Sequence, residues 1–357
     1  MVSLNDDTPS LTHVRCLVVP RFNMLTLTAL IEPLRIANYL SASPLFERHL
    51  HSLDGERVVA SNGMDVTCTE PPERCDRGDL IVVFGSWGAE FYKRPKLLSW
   101  LRLQSRLGVQ ICGVEIGSYL LARAGLLDGR KATTHWSFLS GFREQFPKVE
   151  AVEQLFTIES NMMTCAGGTA GADLMLHLIE AAHGARLTAE ICDHLMQHNI
   201  RQANDTQRAT PGHELDSPLS AVTKAVNLVE AHANDPLTVP EIAKRVGLSQ
   251  RQLERQFRKT VGCSVVQFSL LSRLQRARSL LISTDLSVRE ISAESGFNSL
   301  SHFAYAFRKC FDKRPSDYRQ AWPEQDIEPH WPGSLARYLE SLDMRHRADE
   351  ATNRKAR

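Results

Sequence analysis

No apolar run in this chain approaches the ~20 residues that cross a bilayer; the longest, such as Leu80–Phe84, are short. Met1 to Ser10 is polar and acidic, which does not read as a secretory signal. The eight cysteines (Cys16, Cys68, Cys75, Cys112, Cys165, Cys192, Cys263 and Cys310) are scattered, with no two at metal-ligand spacing. That argues against a disulfide framework or a cysteine metal site, and the thiols are expected to be reduced and buried. A strong charge of either sign is missing too, since 42 Lys+Arg face 41 Asp+Glu. A cytoplasmic protein with no membrane contact, no metal and no cofactor is the expectation. The 357 residues, 43% of them hydrophobic and 23% charged, suffice for two or three ordinary globular domains.

The near-neutral total hides a division. Residues 218–322 hold 16 Lys+Arg against 9 Asp+Glu, whereas residues 1–217 carry an acidic excess of five. A basic module behind an acidic one points to a polyanionic partner for the basic part alone.

Patterning separates the same two parts. Residues 12–200 alternate strands and helices: an apolar strand at Val14–Pro20, a helix at Leu25–Leu40, and a buried strand in DLIVVFG (79–85). An amphipathic helix at Pro95–Leu107, a strand at Val109–Val114, a sharp turn and a helix at Ser118–Ala124 follow. Helices at Gly168–His183 and Leu187–Ile200 close the region. That order implies an α/β domain, a mostly parallel sheet flanked by helices on both faces. Pro33 removes a backbone donor inside the first helix, where a kink is expected. Residues 201–217 are polar, aperiodic and turn-rich and read as a linker. An all-α domain is expected over 218–322. The tail, 323–357, is charged and expected to be partly disordered, with one helix at Ser334–Met344.

The all-α part contains an internal repeat. LTVPEIAKRVGLSQRQLERQF (237–257) reads as helix, glycine turn, helix, with capping boxes at Thr238/Glu241 and Ser249/Gln252. LSVREISAESGFNSLSHFAYAF (286–307) repeats it, with its own box at Ser287/Glu290. Leu237, Ile242 and Gly247 map to Leu286, Ile291 and Gly296 at a shift of 49. Leu253, Phe257 and Phe268 map to Phe303, Phe307 and Tyr318 at a shift of 50. Two phased helix-turn-helix units joined by one helix (Val265–Ile282) suit two successive major grooves, ~34 Å apart. A plain helical bundle with a charged face is the competing reading.

The run GFNSLSHFAYAFRKCFDKRPSDYR (296–319) resembles the signature of AraC/XylS-type transcription regulators, and the resemblance extends over residues 218–320. It implies that the first recognition helix offers Gln250, Arg251, Gln252 and Arg255 to double-stranded promoter DNA. The second would offer Asn298, Ser299, Ser301, His302 and Tyr305. Two positions depart from the family: Tyr305 stands where Arg is usual, and Asp312 where Gly is usual. The first unit is therefore expected to dominate sequence readout.

In the α/β part, ICGVEIGSYLLARAGLLDG (111–129) has the strand-turn-helix layout of a nucleophile elbow, whose helix N-terminus favours an anion. KATTHW (131–136) supplies a histidine and the Leu25–Leu40 helix supplies Glu32. Together these resemble the class I glutamine-amidotransferase-like superfamily, in its intracellular-protease-like branch, over roughly residues 12–200. Carried over, the elbow position is Glu115, the acidic partner Glu32 and the histidine His135. The elbow cysteine of that branch is absent, and Cys112 is expected to point into the core. A carboxylate is a poor acyl-transfer nucleophile, so no catalytic residue is assigned.

The same substitution favours ligand binding. Glu115 and Glu32 are expected to face one pocket, with Phe84, Trp87 and Trp136 near its rim at the carboxyl ends of the strands. Such a site would suit an ammonium, quaternary ammonium or guanidinium group. The fusion resembles a subgroup of AraC-type regulators with an amidotransferase-like sensor, to which MLTLTALIEPLRIANYLS (24–41) also conforms. It implies a small amine or amino-acid-derived effector, activation of catabolic genes through RNA polymerase, and a homodimer. Two alternatives stay open: a constitutive regulator whose N-terminal domain is a dimerisation scaffold, and a residual hydrolase or lyase.

Overall fold

A computed structural model describes residues 11–207, 221–311 and 313–320. The chain divides into two compact units, Met1–Gln207 and Arg208–Arg357. Asp312, the expected helix at 334–344 and residues 208–217 of the expected linker lie outside the described residues.

The first unit is the α/β domain that the pattern implied. Its sheet orders six strands as β2-β1-β3-β4-β6-β5. They are β1 (Thr12–Val18), β2 (Phe46–His51), β3 (Leu80–Gly85), β4 (Gln110–Glu115), β5 (Phe156–Glu159) and β6 (Met162–Cys165). All pair in parallel except β5, which runs antiparallel to β6. Every residue of β3 is buried, as a strand covered on both faces requires.

Alternation along the strands decides which side chains meet which layer. Val14, Cys16, Val18, Val82, Phe84, Cys112, Val114 and Cys165 share one core with apolar residues of α1 (Met24–Leu40) and of α5 (Ala170–His183) and α6 (Ala185–Leu195). On the opposite face α3 (Gly117–Arg123) packs on β3 and β4, with α2 (Pro95–Arg106) against it. A short helix, α4 (Leu139–Gln145), lies between them and β5 in sequence. Pro33 falls inside α1, which nevertheless runs on to Leu40.

Residues 201–207, expected to begin the linker, are instead held to the first unit. The Arg201 guanidinium donates to the fully buried Asp173 carboxylate at 2.6 and 3.0 Å, and its backbone N–H donates to the other oxygen at 2.9 Å. Gln207 Nε2 donates to the Thr134 and Gln154 carbonyls, and its Oε1 accepts from the Trp136 N–H. A polar, aperiodic stretch reads as a linker because its fixed partners lie far away in sequence.

The second unit is helical throughout its described residues. Its helices are α7 (Ala221–Ala231), α8 (Val239–Arg245), α9 (Gln250–Val261), α10 (Val265–Ser283), α11 (Val288–Glu294), α12 (Leu300–Phe311) and α13 (Pro315–Gln320). The three expected capping boxes form at Thr238, Ser249 and Ser287, and Ser264 with Gln267 adds a fourth at α10. α10, 19 residues and about 28 Å long, packs against α7, α9, α11, α12 and α13 and so joins the two halves.

Candidate functional site

The repeat read from the sequence is a repeat in space. Leu253, Phe257, Phe303 and Phe307 are fully buried, as are Ile242 and Ile291. The turns match bond for bond: Leu248 N–H donates to the Ala243 carbonyl at 3.0 Å, and Phe297 N–H to the Ser292 carbonyl at 2.9 Å. Each turn needs a left-handed residue and has glycine there, Gly247 at φ 74° and Gly296 at φ 72°. Gly296 is held more tightly, because a Cβ would come within 2.6 Å of the Ala233 carbonyl oxygen.

Burying one face of α9 and α12 leaves the other to solvent. Gln250, Arg251, Gln252 and Arg255 are exposed on α9. So are Asn298 and Ser299 just before α12, and Ser301, His302 and Tyr305 on it. Ser249 and Ser299 are equivalent caps, accepting from the N–H of Gln252 at 3.3 Å and of His302 at 3.4 Å. The Gln252 side chain also accepts from Ser249 N–H, so it is committed in part to the cap. Arg258 and Lys259 extend the basic face of α9. On α12 the half-buried Lys309 ammonium lies 5.4 Å from the centroid of the Tyr305 ring, one turn past the arginine-to-tyrosine departure.

The second turn has a brace that the sequence did not announce. Arg273 of α10 donates to the Ser295 and Gly296 carbonyls at 3.1 and 2.6 Å, with its guanidinium 4.0 Å from the Phe297 ring centroid. Arg276 donates to the Glu294 carbonyl and Arg278 to the Tyr318 hydroxyl. Arg273 and Arg276 serve carbonyls left over at the end of α11, Arg278 reaches α13, and together they fix α10 to the second helix-turn-helix.

In the first unit, Glu115 ends β4 at φ 54°, a conformation rare for a residue with a Cβ and the mark of a tight elbow. Its carboxylate is sealed in. Oε1 accepts from Asn23 Nδ2 at 2.8 Å, Thr26 Oγ1 at 2.5 Å and, more weakly, Gly168 N–H at 3.4 Å. Burial pushes the carboxyl above its usual range, against the opposing pull of donors from Thr26, Ser86, Gly168 and Asn23. The Thr26 hydroxyl also accepts from Gly168 N–H at 2.7 Å. Glu115 thus ties the start of α1 to the loop before α5. The loop can come this close only because residue 167 is glycine: a Cβ there would lie 1.9 Å from Glu115 Cγ.

Asn23, Thr26, Ser86, Gly167 and Gly168 were missed in the sequence. Only Asn23 carried a signal, as an N-cap residue; its Oδ1 accepts from Leu25 N–H while its amide holds Glu115.

The expected facing pair of carboxylates is not formed. Glu32 lies six residues beyond Thr26, about 9 Å further along α1, and pairs with Arg35 at 2.7 Å on the surface. The α1 group that meets Glu115 is the Thr26 hydroxyl. Phe84 belongs to the core and not to a rim. Cys112 is fully buried in the same core, and burial raises its thiol well above the usual range, so it supplies no nucleophile. His135 is half-buried, with Nδ1 2.8 Å from Ser137 Oγ, and desolvation lowers its pKa to about 4. Trp87 and Trp136 are half-buried on the loops after β3 and after α3. His135 and Trp136 are neighbouring rings, 5.5 Å apart.

Comparison with known proteins bears on both units. The DJ-1/PfpI family matches residues 28–181, and a family described as "Helix-turn-helix domain" matches residues 242–321. The HTH-type transcriptional regulator CdhR of Pseudomonas aeruginosa is 38% identical over 90% of this chain and 95% of its own length. The regulator GbdR of the same species is also 38% identical, over 86% of this chain and 84% of its own. A solved AraC family regulator from Pseudomonas putida covers 52% of this chain at 26% identity, with a TM-score of 0.48.

Proposed function

Because the chain belongs to the AraC-type family of helix-turn-helix transcription regulators that carry a DJ-1/PfpI domain, we propose that it is an effector-responsive activator. That it is a DNA-binding regulator and not an enzyme follows from the relatives, which are named as transcriptional regulators. Among the described residues no helix is long and apolar enough to cross a membrane. The proposal places the protein in the cytoplasm, as a homodimer on promoter DNA and in contact with RNA polymerase.

One observation carries the DNA reading: two turns with the same hydrogen bond and the same left-handed glycine present two exposed, polar faces in one compact unit. In this proposal Gln250, Arg251, Gln252 and Arg255 read the first groove. Asn298, Ser299, Ser301, His302 and Tyr305 touch the second mainly as phosphate contacts. Arg255 and its neighbours make the first helix-turn-helix the stronger reader, since α12 offers a tyrosine where α9 offers Arg255.

For the first unit we propose a small amine or amino-acid-derived effector, bound where β1, β3, β4 and β6 end. Trp87, Trp136 and His135 would supply its walls. Glu115 would serve chiefly as the latch whose strength the effector alters, since its acceptor oxygen is already saturated within the chain. Glu32, on the surface, is not part of this site. The saturation of Glu115 also favours a second reading, in which the first unit is a scaffold of a constitutive regulator.

Thermal shift of the full chain against a panel of amines, betaines and amino acids separates the two. A ligand that prefers the folded state raises the melting temperature by mass action, and the shift should be lost in Trp136→Ala. A flat panel, with DNA binding indifferent to every compound, favours the scaffold.

A further inference from the structure

The far end of the same sheet holds a group of side chains that neither DNA nor effector binding uses. Strands β1 and β2 pair in parallel with His13 opposite Glu47 and Arg15 opposite His49. Side chains two apart on a strand share a face, so His13, Glu47 and His49 project together. His13 Nδ1 lies 3.3 Å from His49 Nε2 and 3.2 Å from Glu47 Oε2; Glu47 Oε1 lies 3.6 Å from His49 Nε2. Among the described residues this is the group of His, Cys, Asp and Glu whose ligand atoms converge, all within 4.8 Å of one another.

From this convergence we propose that His13, Glu47 and His49 form a binding site for a zinc-class divalent cation, with its fourth position open to solvent or to a further donor. Tetrahedral ligands about 2.0–2.1 Å from zinc stand about 3.3 Å apart, close to the 3.3 Å between His13 Nδ1 and His49 Nε2 and the 3.2 Å between His13 Nδ1 and Glu47 Oε2. Two imidazole nitrogens and one carboxylate oxygen are the donor set of zinc, cobalt, nickel and copper ions. Magnesium and calcium want more oxygens than the site offers. The site is also half-built before a metal arrives. His51 stacks on His49 at 6.0 Å and 13°, and its own Nδ1 is tied to Thr69 Oγ1 at 3.1 Å. Behind them Arg15 is paired to Asp79 at 2.6 Å, so its charge is balanced at the site's edge. The three ligand side chains are 30–51% exposed, open to an ion from solvent.

Coordination here would clip the edge strand β2 to β1 and close the segment that carries α1. The site therefore lies in the first unit and stands independently of the DNA-binding reading.

The test uses the untagged full chain stripped with chelator, titrated with zinc alone in competition with a chromophoric chelator, and with cobalt for its visible spectrum. One tight site per chain, a tetrahedral cobalt spectrum and indifference to magnesium are expected. His49→Gln, at a half-buried position, and Glu47→Gln, at an exposed one, should each weaken zinc binding by more than about tenfold, a loss that changing a group merely hydrogen-bonded to a ligand can already reach. His194→Gln, on the surface of α6, should leave it unchanged. Equal zinc affinity in wild type, His49→Gln and Glu47→Gln would overturn the proposal, as would binding no tighter than that of magnesium.

Discussion

Replacing Gly167 by alanine tests the latch at the elbow from its most sensitive point. The new Cβ would stand 1.9 Å from Glu115 Cγ, 2.6 Å from Oε1 and 2.7 Å from Cδ, at a backbone φ of 92°. Overpacking of this kind costs about 1–3 kcal/mol, and a left-handed backbone at a residue with a Cβ adds about 1–2 kcal/mol. The sum, about 2–5 kcal/mol, lowers the melting temperature by about 2–4 °C per kcal/mol in a unit of this size. Calorimetry of the full chain should therefore show the N-terminal transition about 10 °C lower, with the C-terminal one in place. Glu115→Ala alone leaves the Asn23 amide and the Thr26 hydroxyl without this acceptor and costs about 1–3 kcal/mol. In the double variant the overlap has gone, so the two losses should fall short of additivity by at least about 1 kcal/mol. Strict additivity would refute the reasoning, because the clash would then not be with Glu115.

Three further outcomes follow from the same geometry. The Glu115 carboxyl is raised by burial, so the folded chain holds a proton at a pH where the unfolded chain has released it. Stability from this group is thus full in acid and lost as pH rises through the raised pKa; Glu115→Gln should gain on wild type as pH rises above the ordinary carboxylate range, and a constant difference in melting temperature would contradict this. Arg201→Ala removes the charged partner of the fully buried Asp173 but leaves it the residue-201 N–H and the Gln197 amide, so it should cost about 1.5–3 kcal/mol; a loss below about 1 kcal/mol would show that those two donors suffice. Arg273→Met removes two carbonyl bonds and the stack on Phe297, worth about 2–4 kcal/mol, which a calorimetric shift confined to the C-terminal transition would register.

The DNA-binding half was the more legible in the sequence, and the reason is physical. A helix-turn-helix is made of local signals: an N-cap, a capping box three residues later, a glycine at the turn and apolar residues at helical spacing. Ser249 with Gln252, and Ser287 with Glu290, announce their helices within four residues. The elbow was legible for the same reason, since strand, turn and helix are consecutive there. What surrounds Glu115 was not, because Asn23, Thr26 and Gly168 lie 53 to 92 positions away and meet it only once the sheet is built. The expectation fastened on Glu32 because a carboxylate carries a chemical signal. The threonine that takes the contact reads in sequence as an ordinary helical residue. Arg273 was hidden in the same way, as one charge among many on a long helix whose role depends on the turn 22 residues downstream. The anchoring of 201–207 completes the pattern: Asp173 is 28 residues from Arg201.

Affinity of the full chain for promoter DNA across salt concentrations, for wild type, Arg255→Ala and Tyr305→Ala, decides whether α9 reads DNA. Affinity should fall steeply with salt. Arg255→Ala should weaken binding by about tenfold or more, 1–3 kcal/mol if it reads a base and a slope shallower by about 1 if it holds a phosphate. Tyr305→Ala should do less. Binding that ignores salt, or an Arg255→Ala variant indistinguishable from wild type on every site tried, would contradict the assignment of α9 as the principal reading helix.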